Sequence, residues 1–74
     1  MATINRIVSV LEKEGYPITL VKGNGYYYFV YDDGEVFETE SVYINRLNSM
    51  PTEFWLITGR QFAKAVQERY QKDN

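Results

Sequence analysis

An α+β fold of order α-β-β-β-α is what this chain of 74 residues predicts. Three observations carry that expectation. Apolar residues recur with helical spacing near both ends, Tyr26–Tyr31 forms an unbroken aromatic and β-branched run in the middle, and glycine-marked turns stand on either side of that run. Both helices are expected on one face of a three-stranded antiparallel sheet, with residues 1–74 forming one domain.

Near the amino terminus Ile4, Ile7, Val8 and Leu11 fall at i, i+3, i+4 and i+7, which places them on one helical face. Thr3 is suited to cap this helix and Gly15 to stop it, with Pro17 just beyond, so the first helix is expected over 3–14. Its polar face carries too little positive charge for a membrane-surface helix, and core packing is the reading adopted. Ile18–Lys22 then alternates as a strand.

Gly23-Asn24-Gly25 tolerates the backbone angles of a reversal, after which residues 26–31 make the central strand. Asp33-Gly34 signals a second hairpin of the type I′ kind, returning through Glu35–Glu38. Within the run, Tyr26, Tyr28 and Val30 share one face and Tyr27, Phe29 and Tyr31 the other. One set packs under the helices and the other is displayed. The expectation adopted is that Tyr27, Phe29 and Tyr31 are displayed; the opposite parity would move the patch to Tyr26 and Tyr28.

Residues 39–48 are read as a short strand or turn, with a fourth strand through Val42 and Ile44, or a crossover pinned by Leu47, as alternatives. Ser49 to Glu53 contains helix-start chemistry, and Trp55, Gly59, Phe62 and Val66 lie within one arc of a second helix expected over 52–72. A glycine on that apolar face predicts close approach to the sheet, the alternative being a kink between two shorter helices. Lys64, Glu68 and Lys72 form a ladder on the outer face, and Ile57, opposite Trp55, is expected to be exposed and is a contact candidate.

Composition excludes several chemistries. The chain has no cysteine and no histidine, so disulfides, Cys/His zinc sites, thiol nucleophiles and histidine acid/base catalysis are absent. No nucleophile-base pair or phosphate-cradling loop has a recognisable spacing, and the expectation is a protein without catalytic activity, cofactor or metal. Formal charge is −2. Asp32, Asp33, Glu35, Glu38 and Glu40 place five acidic residues and no basic one within nine positions, whereas residues 53–72 carry a net +2 from four basic and two acidic side chains. The acidic run reads as a solvated hairpin that resists edge pairing; DDGE lacks the spaced ligand series of a calcium loop. Asn5 and Arg6 interrupt the apolar run that a secretory leader needs, and no stretch has the ~20 apolar residues of a membrane span, so cytoplasmic placement without membrane contact is expected.

KGNGYYYFVY partly matches the RNA-recognition strand signature, but Asn24 occupies its first aromatic position, the element order is wrong for that fold, and nearby carboxylates repel phosphate. Nucleic-acid stacking, or an acidic surface that imitates nucleic acid, is therefore the secondary reading. The leading one is a protein-interaction surface of Tyr27, Phe29, Tyr31 and Ile57, engaging a protein partner or a second copy of the chain.

The combination GYYYFV, ESVYINRLN and EFW, within residues 15–56, resembles small proteins encoded by phages and prophages. That resemblance implies a short accessory protein expressed inside a bacterial host and acting on a host factor.

Overall fold

The computed structural model describes residues 3–71. Helix α1 (Ile4–Lys13) leads into strands β1 (Ile18–Lys22), β2 (Tyr27–Asp32) and β3 (Phe37–Val42), then a single 3-10 turn at Leu47–Ser49, then helix α2 (Thr52–Gln71). The strands form one antiparallel sheet in the order β1-β2-β3. The expected α-β-β-β-α architecture is present. No fourth strand occurs among the described residues: Thr39–Val42 extends β3, and Leu47 packs against the core.

The helix ends follow from their chemistry. Thr3 Oγ1 accepts a hydrogen bond from the Arg6 N–H at 3.1 Å, satisfying one of the donors that a helix start leaves unpaired. At the far end Gly15 takes a φ of +93°, and the Gly15 and Tyr16 N–H groups donate to the Glu12 and Leu11 carbonyls. Helix α2 is continuous through Gly59, so the glycine marks an approach and not a kink. Lys72, expected to extend this helix, lies outside the described residues.

Both hairpins use four-residue loops. Gly23–Tyr26 joins paired Lys22 and Tyr27, with Gly25 at φ +83°. Asp33–Val36 joins paired Asp32 and Phe37. The second is not the type I′ turn expected, because that turn needs positive φ at both central residues and only Gly34, at +93°, has it. The aspartates close the loop with their side chains instead. Asp32 Oδ1 accepts from the Gly34 N–H at 3.0 Å, and Asp33 Oδ1 accepts from Glu35 and Val36 at 2.9 and 2.8 Å.

The core lies between the two helices and one face of the sheet. Ile7 and Leu11 come from α1, Ile18 and Leu20 from β1, Tyr27, Phe29 and Tyr31 from β2, and Trp55, Phe62, Ala63 and Val66 from α2. Trp55 is fully buried, 5.4 Å from the Tyr27 ring in an edge-on arrangement and 6.4 Å from Phe29. Gly59 is what lets α2 come this close. A Cβ there would stand 2.8 Å from Leu11 Cδ1 and 3.1 Å from Phe29 Cε1.

Candidate functional site

The parity of β2 is opposite to the one expected from the sequence. Tyr27, Phe29 and Tyr31 are buried beneath the helices, with Phe29 at 0% exposure. They are core residues, not a displayed patch. The reason lies in the neighbouring strand. The register sets Ile18 beside Tyr31 and Leu20 beside Phe29, and side chains directly opposite in a ladder share a face. Burying Ile18 and Leu20 while leaving Thr19 in water therefore commits the odd-numbered residues of β2 to the interior.

The displayed face is consequently built from the even-numbered residues of β2 and their cross-strand neighbours. Tyr26 leads into β2, and Tyr28 and Val30 follow within it, flanked by Thr19 and Val21 of β1 and by Phe37, Thr39 and Ser41 of β3. Tyr43, just beyond β3, completes the patch. Its ring centroid is 5.9 Å from that of Tyr26, which is in turn 5.9 Å from Tyr28, so three tyrosines form a continuous aromatic row across the sheet. Tyr43 is 84% exposed and Phe37 64%. Gly23 helps seat the row, because the Tyr26 ring lies where a Cβ on residue 23 would be, at 2.5 Å.

Electrostatically this face is unlike the rest of the molecule. On these strands the only charged side chain of its parity is Asp32, at one end beside Phe37. Glu38 and Glu40 share the helix-side face with Tyr31 and Phe29. Glu38 is held there: its Oε2 accepts from the Tyr70 hydroxyl at 2.6 Å, and its Oε1 lies 3.4 Å from Arg69. The displayed face can bind through rings, methyl groups and hydroxyls.

Ile57 is 46% exposed. It projects roughly 200° around α2 from Trp55, on the side away from the sheet, so it does not join the tyrosine row in one surface. Sequence reasoning missed Tyr43, whose neighbours Val42 and Ile44 drew attention as strand formers. It also chose the wrong parity, because the alternation of Thr19 against Ile18 and Leu20 settles the matter only together with the register to β2.

Two depressions flank the sheet. One, of about 470 Å³, is bounded by Lys22, Tyr27 and the run Asn45–Asn48. The other, of about 250 Å³, lies between the Asp33–Val36 turn and Val66, Gln67 and Tyr70. At that turn the N–H groups of Val36 and Glu35 hold the Asp33 carboxyl below its ordinary value. Those hydrogen bonds occupy the carboxylate with loop closure.

Comparison with known protein families, characterised proteins and solved structures finds no match. Among the described residues, no helix is long and apolar enough to cross a membrane.

Proposed function

We propose that this chain is a non-catalytic protein-interaction module that docks a protein partner on the open sheet face. The observation that carries the reading is the tyrosine row of Tyr26, Tyr28 and Tyr43 on an almost uncharged face. Interface centres are depleted in charge and enriched in tyrosine, whose ring supplies contact area at a low cost in side-chain entropy. The resemblance to small phage and prophage proteins supports placing such a module in a bacterial host, where the partner would be a host factor that it modulates or inhibits. Docking of a second copy on the same face is the alternative occupant.

The test is affinity capture from a bacterial lysate with the natural chain and with Tyr28→Ala/Tyr43→Ala, alongside light scattering of each. A specific protein retained by the natural chain and lost by the folded variant is the expected result. Retention of the same protein by the variant, with circular dichroism unchanged, would overturn the reading. A mass that doubles with concentration in the natural chain alone would assign the face to a second copy instead.

A further inference from the structure

The depression at the end of the sheet opposite the acidic turn has the chemistry of an anion site. We propose that the notch bounded by Lys22, Arg46, Asn45 and Asn48 binds an oxyanion, the phosphate or carboxylate group of a small ligand. The inference does not depend on what covers the open sheet face.

Unpaired cations are the first observation. Ten acidic residues outnumber eight basic ones in this chain, so partners for cations are plentiful. Arg60 and Arg69 take them, pairing with Glu14 and Glu38. Lys22 and Arg46, like Arg6, Lys13 and Lys64, form no salt bridge among the described residues, and these two bound the same notch. The Lys22 ammonium stands 5.7 Å from the centre of the Tyr27 ring, an attractive placement that keeps it at the wall. The donor set is suited to an oxyanion: a guanidinium offers a planar fork, an ammonium a point charge, and Asn45 and Asn48 neutral N–H donors.

The backbone of the connection carrying these donors is held by hydrogen bonds. The Ile44 N–H donates to the Val42 carbonyl at 2.9 Å and the Ser49 N–H to the Arg46 carbonyl at 3.0 Å. Between them the buried Trp55 indole donates to the Leu47 carbonyl, also at 2.9 Å. Less conformational entropy is then lost on binding than a free loop would lose.

Position matters too. The acidic turn lies at the far end of β1 and β2, roughly 17 Å away along five residues of strand, whereas charges are screened over about 8 Å at physiological salt. Glu40 is the nearest strand carboxylate by register, two residues from the Val42 that faces Tyr27, and it pairs with neither cation. The depression is broad and open, about 470 Å³, with room for a small oxyanion.

The experiment is an amide NMR titration of the whole chain at constant ionic strength, with inorganic phosphate, adenosine monophosphate and citrate in separate arms. Saturable shifts are expected at Lys22, Asn45, Arg46 and Asn48 and at the Trp55 indole N–H, which donates to the Leu47 carbonyl between Arg46 and Asn48. Lys22→Gln/Arg46→Gln should weaken binding at least tenfold with circular dichroism unchanged. Arg46→Lys, which keeps the charge and loses the fork, should weaken it less than Arg46→Gln, and this pair decides the matter if the double variant does not fold. Tightest binding of free phosphate, the nucleotide or citrate identifies the source of the group. Shifts that do not saturate in any arm, or equal binding by the glutamine variants, would overturn the proposal.

Discussion

Position 59 shows how one missing side chain sets the thickness of the whole molecule. Alanine there would favour the helix by about 1 kcal/mol. The added Cβ would also press on Leu11 at 2.8 Å and Phe29 at 3.1 Å, both fully buried. Overpacking of that kind costs about 1–3 kcal/mol, so Gly59→Ala should be net destabilising by about 1 kcal/mol, read as a lower denaturation midpoint. A rise in stability would show that the α1–α2 contact can widen freely. The role of Gly59 was legible in the sequence, since a glycine on the apolar face of an otherwise good helix has few uses. The identity of its neighbours was not, because Leu11 and Phe29 meet it only through tertiary packing.

At the scale of elements, the turn and the end of α2 respond to pH in opposite senses. Asp33 binds its proton less readily in the folded chain because its carboxylate accepts the Val36 and Glu35 N–H groups. Its contribution is present above the ordinary value of 3.8 and is lost as pH falls through the depressed folded value. Tyr70 holds its proton more tightly because it donates to Glu38. That contribution is present below the ordinary value of 10.0 and is lost as pH rises through the higher folded value. Thermal melts should therefore show an acid-side loss that Asp33→Ala reduces and an alkaline-side loss that Tyr70→Phe reduces. Unchanged profiles in both variants would place the sensitivity elsewhere. Helix boundaries were largely readable because caps announce themselves locally; the third strand, expected over Glu35–Glu38, runs Phe37–Val42 instead, because Asp33–Val36 is taken up by the loop. Which face of β2 lies inward was not readable from β2 alone, since YYYFVY puts aromatic rings on both parities. Only the register with β1 decides it, and that depends on a four-residue loop where glycine spacing alone could equally suggest a shorter one.

For the molecule as a whole, the problem is how a three-stranded sheet covered on one side stays discrete. The register leaves the outward N–H and C=O groups of β3 at Phe37, Thr39 and Ser41, while Glu38 and Glu40 alternate with them along the same edge. A second β3 pairing antiparallel about Thr39 would set Glu38 against Glu40, placing like charges directly opposite. Glu38→Thr/Glu40→Thr should then associate with rising concentration where the natural chain does not do so through this edge, as sedimentation velocity would report. The same mass distribution for both chains would mean that the carboxylates do not guard the edge.

Helix α2 is also much longer than the sheet beneath it. Its twenty residues span roughly 30 Å and the six-residue strands roughly 20 Å, so its final turns project past the sheet. Beyond Val66, among the described residues, the hydrogen bonds and ion pairs that tie this overhang to the rest of the fold are those of Arg69 and Tyr70 to Glu38. The outermost carboxylate-bearing strand thus acts as a latch for the last helical turn. Amide protons there should exchange in the earliest opening event, well before those around Trp55, and releasing Glu38 would move the boundary between fast and slow exchange inward along the helix.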